Sequence, residues 1–394
     1  MGVTNLRRVL QLLVKPPPVA PLKKTIPPGN KLALDANWVM HRWTREEGIH
    51  LLEEEEQQVQ EMSRLGVSIS QKFMELGYIP VWVKDGFQKP LKEKLMAERR
   101  NQRTLAQQHA AEKKAQVATQ VEEIQKKVEK VKPQVAKEVE KHLNVIQNQN
   151  ASAAEVKKAV QVLEKVVPKK QLIQVKQLEE TRQVMTNKLK KGFAIRTKHW
   201  KAFTANVANS GFTVVSAPAD ADSQIAYLSK QNVGFAVSDD FDVLAFGSPQ
   251  LMNLSLTEKF APASEILCRN WTRQYVLESL KAKPIDFISL CVLLGTDYTV
   301  PGLPTLPGSK LNDRELLELV EGVCGRLEVA KVSPRVRKLL ESRTSGQYEI
   351  IMDYITNPLV YPLAYSQGAK VVLVRPREAE NRNNPETSRP KVSF

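Results

Sequence analysis

Cysteine is scarce: Cys268, Cys291 and Cys324 are the only three in a chain of 394 residues. That excludes a disulfide scaffold, and their positions show no metal-ligand spacing. They read as small core residues in a reducing, intracellular compartment. Long apolar runs are missing too. The longest, around Ile288 to Gly295, is far too short to span a bilayer, so no membrane partner is expected. Near the N-terminus, Val9 to Val14 is followed by Lys15 and three prolines, too weak a pattern for a secretory signal. Gly2 invites a myristoylation reading, but Leu6 stands where Ser or Thr is wanted. No internal repeat is visible. Negative charge is also in deficit, with 58 Lys and Arg against 43 Asp and Glu, a net +15. The deficit is local. Residues 91–200 hold 25 basic and 12 acidic side chains, while the other 284 residues hold 33 and 31. One segment therefore carries nearly all the field, which points to a polyanion bound at one place.

What is present is a folded chain. Apolar residues make up 42%, enough to exclude disorder, and the length suits one large domain or two ordinary ones. Residues 1–90 read as a first globular block. In it Lys31-Leu32-Ala33-Leu34-Asp35 and Ile79 to Asp85 are short apolar strands ending on aspartate, with mostly helix from Thr44 to Leu76. Residues 91–205 change character. Val117, Val121, Ile124, Val128, Val131, Val135 and Val139 recur at helical spacing. A second periodic stretch runs from Val156 to Leu189, after a polar run at Gln147 to Asn150. Pro133 and Pro168 are expected to kink or interrupt helices. The pattern predicts a long helical hairpin with a polar tip. On periodicity alone, an ordinary coiled coil for protein contact is the plainer reading. Residues 206–345 return to α/β alternation, with strands at Phe212–Val215 and Val233–Ser238 around a helix at Ala219–Lys230. Helices follow near Arg273–Leu280, Asp286–Leu294 and Asp313–Val323. Residues 346–394 read as an extension ending in a solvated tail.

Seven aspartates sit at strand ends or element starts: Asp35, Asp85, Asp220, Asp222, Asp240, Asp242 and Asp297. In an α/β sheet, chemistry gathers outside the carboxyl ends of the strands. Singly, each has a plain structural reading, such as a helix N-cap for Asp220. Together in one pocket they would repel one another unless cations compensated. Oxygen-only ligands select hard ions, Mg²⁺ or Mn²⁺. Two such ions about 4 Å apart activate water and stabilise a leaving oxygen in phosphodiester hydrolysis.

The motifs around these acids resemble those of the flap endonuclease/XPG structure-specific nucleases. Met1-Gly2-Val3-Thr4-Asn5-Leu6, the strand into Asp35, and Val83-Lys84-Asp85-Gly86 resemble the family's first block. Ala217-Pro218-Ala219-Asp220-Ala221-Asp222, Ser238-Asp239-Asp240-Phe241-Asp242 and Leu293-Leu294-Gly295-Thr296-Asp297-Tyr298 resemble the second. The phrasing around Asp35, and the Asp at 220, are closest to the 5′-exonuclease branch. The resemblance implies an α/β fold, with a PIN-like, mostly parallel sheet flanked by helices. It also implies an inserted helical arch over the site and a C-terminal helical DNA-binding element. It implies a Mg²⁺-dependent endo- or exonuclease using two ions, with Mn²⁺ able to substitute. The DNA partner would carry a 5′ flap, nick, gap or 5′ end.

Carried over by position, the seven aspartates are metal ligands and Lys92 with Arg99 steer the scissile phosphate. His41 stacks under a base, and Gly2, Gly308, Ser309 and Lys310 approach the DNA. The nucleus, or another DNA-replicating compartment, would be its location. Asp220 stands where the family has the longer Glu, by about 1.5 Å of reach, and Lys84 replaces an aromatic. Pro304-Thr305-Leu306-Pro307-Gly308-Ser309-Lys310 replaces the Gly-Ile-Gly-Pro-Lys hairpin, and no clamp-binding motif is seen. These departures leave two alternatives: a nuclease-fold nucleic-acid-binding protein with weakened catalysis, or an RNA-cleaving variant.

Overall fold

The computed structural model describes residues 5–86, 90–131, 135–255, 266–299, 311–368 and 370–374. Seven segments pair into one sheet: β1 (Ala20–Pro21), β2 (Lys31–Asp35), β3 (Ile79–Lys84), β4 (Thr213–Ser216), β5 (Phe235–Val237), β6 (Gln250–Ser255) and β7 (Leu267–Thr272). Their order across the sheet is β1-β7-β6-β5-β2-β3-β4. Strands β6-β5-β2-β3-β4 run parallel, and β7 and β1 close one edge antiparallel. The chain winds from β2 outward through β3 to β4, then returns to place β5 on the other side of β2. That reversal is a topological switch point, where the carboxyl ends of β2 and β5 open a crevice.

Both faces of the parallel strands are covered, so β2 and β3 are apolar and buried between their charged ends rather than alternating. Side-chain alternation sends Ala33, Val81 and Val83 to one core, with helices Ala221–Lys230 and Pro284–Gly295. Leu32, Leu34 and Trp82 go to the other, with helices Glu55–Glu75 and Thr197–Asn209. There Phe203 meets Trp82 edge-on at 5.3 Å.

The insertion is helical, and its long hairpin is the 39-residue helix Glu93–Val131 packed against Leu172–Gly192. A second hairpin, Ala136–Gln147 and Ala153–Val166, lies against it. The valine seam, from Val117 to Val139, forms a core separate from the two flanking the sheet. One expectation is corrected here. The polar run at 147–150 is not the tip. It folds back, so that Arg182 donates to the carbonyls of Asn148 at 2.8 Å and Ala151 at 3.1 Å. Gln149 Nε2 donates to the Leu51 carbonyl at 2.8 Å. Arg182 can gather those carbonyls only if the loop lies along its helix. The helix before Pro168 stops at Val166, as that proline requires; Pro133 lies outside the described residues.

Past 345, where the sequence signals thin, a helix Gly346–Thr356 and a ribbon of β8 (Leu363–Gln367) and β9 (Lys370–Leu373) are formed. No helix among the described residues is long and apolar enough to cross a membrane.

Candidate active site

The switch point collects the acids. Asp35, the last residue of β2, caps the next helix by accepting from the Trp38 amide at 3.0 Å. Its other oxygen accepts from Ser238 Oγ at 3.0 Å, directly after β5. The same Ser238 hydroxyl oxygen accepts from the Asp240 amide at 3.1 Å, and Asp240 Oδ1 accepts from the Asp242 amide at 3.1 Å. Ser238 therefore ties the β2 end to the Asp240–Asp242 turn. Asp85 stands one residue past β3 and accepts from the Ala221 amide at 2.9 Å. It holds the N-terminus of the helix that carries Asp222. Gly86 makes that approach possible, because any side chain there would collide with the Ala217 and Pro218 carbonyl oxygens.

These acids act on one another. Burial, opposed by the Trp38 amide and then reinforced by Asp85 and Asp240, lifts the Asp35 pKa to about 6. Burial and the charges of Asp240, Asp35 and Asp242 push Asp222 well above the ordinary carboxyl range, with Lys92 opposing. Asp222 Oδ1 is buried without a hydrogen-bond partner. Among the described residues, no three carboxyl, imidazole or thiol groups converge closely enough to form a ready cage. An orphaned carboxyl oxygen amid mutually repelling acids still suits a cation. The all-oxygen donor set suits Mg²⁺ or Mn²⁺.

Lys92 and Arg99, at the base of the insertion, reach this cluster. Arg99 Nη2 lies 2.7 Å from Asp297 Oδ2. Burial lifts the Asp297 pKa against the pull of Arg99 and Lys92. Lys92 Nζ lies 2.9 Å from Asp220 Oδ1 and 4.6 Å from the centre of the Tyr298 ring. Burial works against its charge, but Asp220 and Asp222 hold its pKa above that of an ordinary lysine. Asp220 occupies the N-cap position of its helix yet makes no capping bond. Its Oδ2 accepts instead from the hydroxyls of Tyr298 at 3.1 Å and Tyr354 at 3.0 Å.

His41 sits beside this group. Burial, then the charges of Arg45, Arg103 and Arg99, lower its pKa to about 4, so the ring is neutral. Gly2, Gly308, Ser309 and Lys310 lie outside the described residues. Sequence reasoning passed over Ser238, Arg45, Arg103 and both tyrosines as site residues. Arg103 had a signal, one helical turn after Arg99. Tyr354 had none.

Residues 211–297 match the XPG I-region. Flap endonuclease 1 of Yarrowia lipolytica is 37% identical over 145 residues, 34% of this chain and 36% of that relative. Flap endonuclease 1 of Caenorhabditis elegans is 40% identical over 90 residues, 22% of each chain. The matches thus span well under half of these relatives' length. The catalytic core of Rad2 in complex with DNA substrate superposes with a TM-score of 0.50 over 91% of this chain and 88% of that one. At 15% identity it shows the shared fold. Residues 211–297 thus match the XPG I-region, the chain is similar to flap endonuclease 1 proteins over about a third of its length, and its parallel sheet shares the fold of the Rad2 core.

Proposed function

We propose that this chain is a divalent-metal-dependent, structure-specific 5′ nuclease that hydrolyses phosphodiesters in branched or 5′-ended DNA. The observation that carries the reading is the gathering of Asp35, Asp85, Asp222, Asp240 and Asp242 around one switch point, faced by Lys92 and Arg99. These acids would hold Mg²⁺, with Asp222 supplying the unpartnered oxygen. Ions there would supply a water of lowered pKa and charge stabilisation for the leaving oxygen. Asp85 and Ser238 keep the carboxylates oriented through their bonds to the 221 amide and to Asp35. Lys92 and Arg99 would present positive charge to the scissile phosphate from the base of the insertion. The neutral His41 ring offers a flat face to a base, and Arg45, Arg99 and Arg103 around it offer charge to the adjoining phosphates. Gly2, Gly308, Ser309 and Lys310 complete the proposed DNA contacts by resemblance.

A second reading, a nuclease-fold binding protein with weakened catalysis, draws on the same pairs. Lys92 and Arg99 are each already matched to an acid. One experiment separates the two. Labelled 5′-flap, nicked, blunt duplex and RNA substrates are incubated with the protein in Mg²⁺ or EDTA, beside Asp240→Asn/Asp242→Asn. The nuclease reading expects Mg²⁺-dependent cleavage of a 5′-ended DNA. The folded double variant should lose cleavage while binding DNA as well or better, because negative charge near phosphates has gone. Binding without cleavage by the wild type supports the second reading, and cleavage confined to RNA replaces the substrate.

A further inference from the structure

We propose that Asp220 is a positioning residue for Lys92 rather than a cation ligand, and that Tyr298 and Tyr354 lock it in that role. Both carboxylate oxygens are engaged. Oδ1 meets the Lys92 ammonium at 2.9 Å, and Oδ2 takes hydroxyl hydrogens from Tyr298 and Tyr354. The group is built, not incidental. Asp220 is 2% exposed and Tyr298 3%. The two tyrosine rings lie 4.9 Å apart, and Phe246 stands 6.3 Å from each, edge-on to Tyr298. Lys92 also sits over the Tyr298 ring. A divalent ion on Oδ1 would share that oxygen with an ammonium, and the two like charges would repel at contact distance in a buried pocket.

The shorter side chain fits this arrangement. A Glu at 220 would push its carboxylate about 1.5 Å further, into the space that Lys92 and the two hydroxyls occupy. Neither Asp220 Oδ1 nor Asp222 Oδ1 accepts an aligned hydrogen bond, but the first is ion-paired with Lys92 at 2.9 Å, whereas among the described residues Asp222, two residues on, has no ion-pair partner. Alternate residues at this helix start therefore divide the work. One holds the lysine and the other is left for the ion. Tyr354 comes from Gly346–Thr356, so the C-terminal helix reaches the phosphate-steering lysine through one hydroxyl. The inference rests on the nuclease reading for what Lys92 does, but not for how Lys92 is held.

Two measurements on the full chain test it. In the first, Mn²⁺ is titrated without DNA, and free ion is followed by its paramagnetic resonance signal. The variants are Asp222→Asn and the charge-balanced Lys92→Met/Asp220→Asn. The proposal expects unchanged Mn²⁺ affinity in the double variant and a fall of at least roughly tenfold in Asp222→Asn. An equal fall in both makes Asp220 a ligand and overturns it. In the second, the rate of Lys92 acetylation by a water-soluble acetyl ester is read by peptide mass mapping in Tyr354→Phe. Losing one hydrogen bond to a charged group should speed acetylation about tenfold, with Mn²⁺ affinity unchanged. An unchanged rate removes Tyr354 from the lock and overturns the proposal. Tyr354→Phe deletes a single oxygen and decides the matter if the buried double variant does not fold. If the wild type takes up no Mn²⁺ at all, the metal-dependent nuclease reading fails. The acetylation rate then still shows whether Lys92 is held as described.

Discussion

His41 shows how a residue's surroundings fix its chemistry. Three arginines and burial hold the imidazole neutral, with its pKa lowered to about 4 from an ordinary 6.5. In the unfolded chain the ring takes its proton near 6.5, so between 6.5 and about 4 the unfolded state binds more protons than the folded one. Stability from His41 is therefore full above 6.5 and is lost as pH falls towards 4. Asp35, raised to about 6, pulls the other way across the lower part of that window. A difference measurement isolates the histidine. Relative to His41→Gln, wild-type stability from urea titrations should fall as pH is lowered, by up to about 1.4 kcal/mol per pH unit. Parallel curves for the two proteins would place the ring in open solvent.

At the scale of elements, the sequence was most legible where one pattern dominated. Short apolar runs mark β2, β3, β4 and β5 in the sequence, whereas β6, interrupted by Asn253 and opened by Gln250, carries no such run and is not legible there. The seam from Val117 to Val139 follows helical spacing and was read as a buried stripe. The path of the insertion was not legible, because spacing says which face of a helix is apolar and nothing about where a polar loop folds. Arg182 supplies the reason after the fact. It is 4% exposed, and it draws residues 148–151 onto the hairpin by their carbonyls. Arg182→Met keeps the stem and removes the donors, leaving two carbonyls short of a partner. We expect the insertion to lose about 2–3 kcal/mol. Amide exchange at 148–152 should quicken while β2 and β3 keep their protection. Slow exchange across 148–152 in that variant would mean the valine core alone holds the loop. Tyr354 was hidden for a different reason. It lies 134 residues from Asp220 along the chain, and no local pattern marks a tyrosine that will meet a distant acid.

The whole molecule separates its charges. Acid collects at the switch point, and base collects on the insertion that starts with Lys92, where 25 basic and 12 acidic residues fall within 91–200. If that surplus meets a phosphate backbone, DNA affinity falls with salt at a log–log slope near about −0.9 per phosphate neutralised. Replacing 116–190 by a short linker should flatten the slope and weaken cleavage at 5′ single-stranded ends. An unaltered slope would assign the basic helices to a protein surface instead. The deleted span meets the first block through Gln149 at the Leu51 carbonyl and through helix Leu172–Gly192 against Ile49–Leu51, while the Lys114–Glu53 pair is kept. The apolar core of the insertion is separate from the two that flank the sheet, so the deletion should leave those two intact.

The pairing of β2 with β5 also sets an order of assembly on the ribosome. Leu34 lies opposite Val237, so β2 cannot gain its inner neighbour until the whole insertion has been translated. The insertion closes its own core from residues between 117 and 178, all of which are available earlier. It can be folded while the centre of the sheet still lacks β5. The basic arm therefore exists before the acids beneath it are brought together. A nascent chain stalled after residue 205 would carry the basic helices without Asp220, Asp222, Asp240 or Asp242.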